Sequence, residues 1–113
     1  MKIHQYYVYI LTNHGRTVLY TGMTNNLEQR LADHYFNQSN LKTFAGKFQC
    51  HFLVYYEFHK YLLSAIEREK EIKGWTRIKK NRLIEAFNPD WSFLNNKFID
   101  WPPGEFWRRA DQN

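Results

Sequence analysis

In the stretch "TNNLEQRLADHYF", Arg30 and His34 lie four residues apart. On a helix that spacing sets one side chain above the other on a shared face. A guanidinium offers a fork of donors to phosphate oxygens, and an imidazole exchanges protons near neutral pH. The pair suits phosphate binding and proton transfer, and it equally suits an ordinary solvent-facing pair at a helix edge. Glu69, in "AIEREKEIKGW", is more informative. At about 100° per residue, Leu62, Ala65, Ile66 and Ile72 form one helical stripe with Glu69 in its middle, while Glu67 and Glu71 face the other way. A carboxylate in an apolar stripe is costly unless something compensates its charge. Compensation takes one of two forms: an internal salt bridge, for which Arg30 is a candidate, or a hard divalent cation such as Mg2+ or Mn2+ bound through carboxylate and water oxygens. Tyr9 and Tyr20 fall in two successive aromatic runs that hairpin pairing would bring together. Taken alone, each is an ordinary strand tyrosine with its hydroxyl at the rim of a core. A phenol, with a pKa of about 10, acts as a base only beside a cation that lowers it. Arg30 and an ion on Glu69 would supply that charge.

Such side chains need elements to position them. Residues 6–11, "YYVYIL", are aromatic and β-branched without polar alternation, the pattern of a central strand covered on both faces. "TNHGRT" carries turn chemistry, and "VLYTG" resumes as a second strand ending at Gly22, which predicts an antiparallel hairpin. Thr24 or Asn25 starts a helix, with Asn25 and Glu28 at capping-box spacing and Leu27 and Leu31 on the buried face. "FNQSNLKTFAGK" reads as a loop and "CHFLVYYEF" as a third strand. "HKYLLSAIEREKEIKGW" predicts a second helix ended by Gly74. Thr76 caps a third, which Asn88-Pro89 stops. "WSFLNN" adds a short helical turn, and "DWPPGEFWRRADQN" is a Pro- and Gly-broken tail, ordered only if its aromatics dock. The order strand, strand, helix, strand, helix, helix defines an α+β fold: a small three-stranded antiparallel sheet flanked by helices. Residues 1–97 are expected to form the domain and residues 98–113 an aromatic, basic tail.

The chain carries 16 Lys and Arg against 11 Asp and Glu, with a pI near 9.4. That balance favours a polyanionic partner, either nucleic acid or an anionic membrane surface. Arg77, Lys79, Lys80 and Arg82 crowd the start of the third helix, where the helix dipole already disfavours positive charge. A nucleic-acid backbone would compensate that placement. Trp101, Phe106, Trp107, Arg108 and Arg109 in the tail either stack on unpaired bases or pack against the domain. The single Cys50 has no internal disulfide partner and reads as a buried small hydrophobe in a reducing compartment. No run approaches the roughly 20 apolar residues of a membrane span, so a soluble cytoplasmic protein is expected.

"YVYIL", "LYTG", "TNNLEQRLADH" and "AIEREKEIKGW", in that order, resemble the GIY-YIG nuclease superfamily. The likeness is to its small stand-alone members, related to the nuclease domain of the nucleotide-excision-repair endonuclease, and it covers residues 6–91. It implies a GIY-YIG-like sheet bearing a phosphodiesterase site with one divalent ion, Mg2+ or Mn2+. It also implies DNA endonuclease activity, in repair or processing; with no separate DNA-recognition domain, sequence specificity should be low. "YVY" stands at the first motif, so Tyr9 takes the place of the catalytic tyrosine. "YTG" stands at the second, giving Tyr20 and the turn glycine Gly22. Arg30, His34 and Glu69 take the places of the family's arginine, histidine and metal-binding glutamate. Tyr7 replaces the first motif's glycine and Thr21 the second motif's isoleucine; a ring at Tyr7 bears on how closely DNA approaches the first strand. Two other functions compete: a non-catalytic nucleic-acid-binding module using the same basic cleft, and a protein-interaction module docking through its tail.

Overall fold

A computed structural model of the chain describes residues 5–37 and 40–109. Residues 38–39 of the expected loop and 110–113 of the expected tail lie outside the described residues. The first aromatic run forms β1 (Tyr6–Thr12), flanked antiparallel by β2 (Leu19–Thr24) and β3 (Phe52–His59), so β1 is the central strand. A strand covered on both faces must be apolar at every position, and Val8, Tyr9, Ile10 and Leu11 are all fully buried. Successive side chains alternate between faces. Tyr9 and Leu11 enter one layer with Leu27, Leu31 and Ala32 of α1 (Leu27–Phe36). Val8 and Ile10 enter the other with Ala65 and Ile72 of α3 (Leu62–Lys73) and Ile84 of α4 (Arg77–Phe87). The chain is thus the expected α+β fold. Cys50 is buried within the first layer.

Several boundaries differ from expectation. β2 runs two residues beyond Gly22, to Thr24. Because Thr24 still belongs to the strand, the cap of α1 is Asn26, whose side chain accepts the Gln29 N–H at 3.1 Å. Gly15 does not supply the left-handed residue of the hairpin turn; Arg16 does, with φ 58°. Arg16 is held there by a bond from Nε to the Trp91 carbonyl (3.0 Å), and its guanidinium lies 4.1 Å from the Phe93 ring centre. The expected loop contains a four-residue helix, α2 (Phe44–Lys47), capped by Thr43, whose hydroxyl accepts the Gly46 N–H at 3.0 Å. Gly74 ends α3 in right-handed backbone (φ −82°), so its conformational freedom is not what stops the helix. Thr76 caps α4 as expected.

The apolar stripe of α3 begins at Ala65, since Leu62 is exposed. Polar groups take over at that end. Glu57 on β3 accepts hydrogen bonds from Tyr55 and from Arg68 of α3 and pairs with His59, which bonds Ser64. Burial alone would raise the Glu57 carboxyl, but these hydrogen bonds together outweigh it and hold it below its ordinary value. Locking Arg68 to β3 sets the roll of α3, and hence the direction of the neighbouring Glu69.

After α4 the chain is strapped back onto the sheet by two buried amides. Asn88 Nδ2 donates to the Val54 carbonyl at 3.0 Å. Asn95 accepts the Leu53 N–H at 2.8 Å and donates to the His51 carbonyl at 2.9 Å. A short 3₁₀ turn at Asn95–Lys97 answers the expected helical turn. Beyond it, Phe98, Trp101 and Trp107 pack against the first layer. Gln29 donates to the Trp107 carbonyl (3.0 Å), Arg109 pairs with Asp33 (3.1 Å), and the Arg108 guanidinium sits 4.3 Å from the Phe36 ring centre. Trp101 meets Tyr35 of α1, their ring centres 5.3 Å apart, while Phe98 meets Tyr7 and Tyr56 of the sheet. Among the described residues, no helix is long and apolar enough to cross a membrane.

Candidate active site

The antiparallel register sets Tyr9 directly opposite Gly22, and Leu11 opposite Tyr20. Tyr9 and Tyr20 are therefore diagonal neighbours on one face, their ring centres 6.4 Å apart. Gly22 is small for a reason. A Cβ built there would fall on the Tyr9 hydroxyl, within 2.5 Å of Tyr9 Cζ and 3.1 Å of Tyr20 Cε2. The glycine leaves the space that the phenol fills. α1 crosses this face and brings His34 Nε2 to 3.1 Å from the Tyr9 hydroxyl. The His34 ring also lies edge-on to Tyr20, with centres 5.4 Å apart.

Arg30, one turn before His34, lines the same cleft of about 310 Å³ with Tyr20, Asp33, His34, Thr43 and Phe44. Arg30 makes no ion pair among the described residues. The acid beside it, Asp33, is already matched by Gln29 (2.9 Å) and Arg109 (3.1 Å). The cleft therefore keeps an uncompensated positive charge, a disposition suited to an anion.

Electrostatics sharpen the roles. Burial pushes the Tyr9 phenol well above its ordinary value, with Tyr20 and Glu69 adding to the rise and Arg30 only opposing it. The lowering that a nearby cation was expected to bring does not prevail in the unliganded protein, because the ring is fully buried. Tyr9 is thus a hydrogen-bonding phenol at neutral pH, not a phenolate. Burial, then the charge of Arg30 and a smaller push from His51, lowers the His34 imidazole to about 4. His34 is consequently neutral near pH 7, and its Nε2 lies in hydrogen-bond contact with the Tyr9 hydroxyl.

Glu69 is partly buried, and its carboxylate lies 3.6 Å from Lys73 Nζ. The salt bridge that sequence allowed to Arg30 is not formed; the partner is one turn away on the same helix. Glu69 does not line the cleft of Tyr20, Arg30 and His34, and its charge makes only the smallest contribution to the rise of the Tyr9 phenol. Among the described residues, no three His, Cys, Asp or Glu side chains gather as a metal cluster. A single carboxylate suits Mg2+ or Mn2+, which keep several waters and take substrate phosphate oxygens as further ligands. It does not suit a metal that needs an all-protein cage.

The basic residues of α4 have mixed employment. Arg77 donates to the carbonyls of Thr17 (2.9 Å) and Arg16 (3.2 Å), bracing the hairpin turn. Lys79 Nζ rests 4.3 Å from the Trp75 ring centre. Lys80 and Arg82 form no ion pair among the described residues. Sequence reading missed Asp33, Thr43 and Phe44 as cleft residues. Asp33 carried a signal, lying three residues after Arg30 on the same helix; α2, assigned to a loop, carried none.

Residues 5–82 match the GIY-YIG catalytic domain, and the chain belongs to that family, a superfamily of nucleases whose substrates are nucleic acids. The chain is similar to UPF0213 proteins. It is 42% identical to the one from Clostridium perfringens over 80 residues, covering 71% of this chain and 83% of the relative. It is 39% identical to the one from Natronomonas pharaonis over 79 residues, covering 70% and 89%. The relative from Staphylococcus haemolyticus is 36% identical over 81 residues, covering 72% and 95%. No solved structure matches the chain.

Proposed function

We propose that the protein is a divalent-metal-dependent DNA endonuclease of low sequence specificity, acting in DNA repair or processing in the cytoplasm. The observation that carries this reading is that Tyr20, His34 and Arg30, a guanidinium with no ion-pair partner among the described residues, line one cleft, with the buried Tyr9 hydroxyl directly behind it, 3.1 Å from His34 Nε2. Hydrolysis of a phosphodiester needs charge neutralisation and a positioned water. Arg30 provides a planar donor fork for the phosphate oxygens. Glu69 would hold the ion, Mg2+ or Mn2+, which when bound supplies Lewis-acid polarisation of the phosphate.

Tyr9 works in its protonated form. In the His34 tautomer protonated at Nδ1, the Tyr9 hydroxyl donates to Nε2; Arg30 takes one lone pair of its oxygen, and the other is left for a water that substrate binding brings beside the buried ring. As that water attacks phosphorus, its proton passes to the Tyr9 oxygen while the proton of Tyr9 passes to Nε2, and the P–O bond to the leaving oxygen breaks, that oxygen taking a proton from solvent. In the unliganded protein this relay is uphill, because burial and Arg30 hold the imidazole at about 4. A phosphodiester paired with Arg30 cancels the second cause and raises the basicity of His34. Tyr20 packs against both Tyr9 and His34 and keeps their rings in register.

Lys79, Lys80 and Arg82, with Arg77 beside them, are the proposed backbone contacts. Converting Lys79 and Lys80 to Gln is expected to weaken DNA binding and flatten its salt dependence by up to about two units of log–log slope. An unchanged slope would remove them from the interface. The decisive experiment incubates supercoiled and branched DNA with the protein plus Mg2+, Mn2+ or chelator. Cleavage abolished by chelator and by Glu69→Ala is the expected result; cleavage surviving Glu69→Ala overturns the assignment. Binding without cleavage would favour the non-catalytic module, a reading supported by the Lys73 contact to Glu69 and the raised Tyr9 phenol.

A further inference from the structure

Beside the cleft, α2 displays apolar surface that the fold does not need. Phe44 lines the cleft, its ring stacked on Tyr20 with centres 6.4 Å apart and planes 25° apart, yet 51% of the residue is exposed. Phe48 follows with its ring centre 4.7 Å from that of Phe44 and is 38% exposed. The two rings continue the aromatic line of Tyr9 and Tyr20 from the buried sheet out into solvent. Core packing does not explain them, since α2 secures itself by burying Ala45 and Gly46. Cations border the ledge: Lys47 Nζ lies 5.5 Å from the Phe48 ring centre, and Arg30, with no ion-pair partner among the described residues, lines the cleft.

We infer that Phe44 and Phe48 form a stacking ledge for an unpaired nucleobase adjacent to the phosphate bound at Arg30. This deepens the nuclease reading and rests on it. It makes the preferred substrate a strand unpaired at the cleavage point: a single strand, a flap or a loop. A flat aromatic ring offers a sequence-tolerant surface to any base, but only once that base has left its own stack. A base inside an intact duplex presents edges in the grooves, not a face. Charge complementarity selects this occupant over an apolar protein surface. The one acid lining the cleft, Asp33, is already paired with Arg109, so the ground next to the rings favours a phosphate.

The test compares one oligonucleotide in three forms: single-stranded, annealed to its complement, and single-stranded with an abasic residue beside the cleaved bond. The single strand is expected to be cut best by the wild type. Phe44→Ala should lower kcat/KM on it about tenfold, the scale of one lost base stack, and leave the duplex and abasic forms nearly unchanged. Phe44→Trp should restore the preference and Phe44→Leu should not. Phe106→Ala, which removes a ring that is 89% exposed on a second 3₁₀ turn, Glu105–Trp107, serves as the control. A second readout is independent of cleavage. An oligonucleotide carrying 2-aminopurine should lose fluorescence on binding to Glu69→Gln and retain it on binding to Glu69→Gln/Phe44→Ala. Equal loss on all three substrates, or no quenching by Glu69→Gln, overturns the ledge. So does a change in sedimentation of Phe44→Ala with cleavage unaltered, which would make this face a protein contact. Failure of every substrate to be cut, with quenching intact, would instead sink the nuclease reading and leave the ledge standing.

Discussion

The two layers on either side of β1 are built from the same strand and share almost nothing else. One face contributes Val8 and Ile10 to aliphatic contacts with α3 and α4. The other contributes Tyr9 and Leu11, and around Tyr9 gather a second tyrosine, a histidine and a glycine that leaves room for the hydroxyl. Tyr55, buried in the layer of Val8, has its hydroxyl satisfied by Glu57, so that layer can be packed for stability. The layer of Tyr9 buries a phenol against an imidazole, and burial shifts the protonation of both. The lesson is one of division: the two-residue period of a strand lets adjacent positions serve stability and chemistry separately.

That division can be broken by crossing it. Ile72→Ala, in the aliphatic layer, should cost about 2–5 kcal/mol in urea unfolding. Arg30→Ala, in the other, should lower cleavage by about 10²–10³. Its effect on the unfolding midpoint should be small, since the guanidinium has no ion-pair partner to lose. If Arg30→Ala destabilised the fold as much as Ile72→Ala, the layers would not be separable. Gly22→Ala should cost about 1–3 kcal/mol by overpacking against Tyr9, together with most of the activity. A fully active, stable Gly22→Ala protein would contradict the packing of that pair.

Acid titration sharpens the comparison. His34 takes up its proton at about 4 in the folded protein and near 6.5 when unfolded. Between those values the unfolded chain binds the extra proton, so stability is full above pH 6.5 and falls as pH drops toward 4, at up to about 1.4 kcal/mol per unit. His34→Gln should flatten that slope in chemical denaturation across the same window. Glu57, held below its ordinary value, contributes only beneath it, losing its share as pH falls through the carboxylate range. The smallest effect belongs to Tyr9→Phe. Losing one partly buried hydrogen bond should shift stability by about 1 kcal/mol, while activity falls far more.

Much of this architecture was legible because it is local. Alternating and continuous apolar runs define three strands, and Thr76 with Asn88-Pro89 brackets α4 as read. The hairpin was enough to pair Tyr9 with Tyr20, and four-residue helical spacing to pair Arg30 with His34; that the two pairs share a site was implied by the family resemblance. What stayed hidden depends on contacts across long separations. The fate of Arg77 is decided by carbonyls 60 and 61 residues earlier, and that of Asp33 by an arginine 76 residues later. α2 escaped because four residues span barely one helical turn and show no periodicity. The expected lowering of the Tyr9 phenol failed because sequence reveals neighbouring charges more readily than depth of burial.

The tie between α1 and the end of the chain bears on the order in which the molecule assembles. β1 and β2 meet through a short turn, whereas Gln29 and Asp33 wait for partners 78 and 76 residues downstream. Closing such long loops is entropically slow, so the sheet is expected to form well before the mouth of the cleft is sealed. Amide protons in the last turns of α1 should therefore exchange with deuterium ahead of those in β1. A newly made chain would then hold its hairpin before it acquires a working edge.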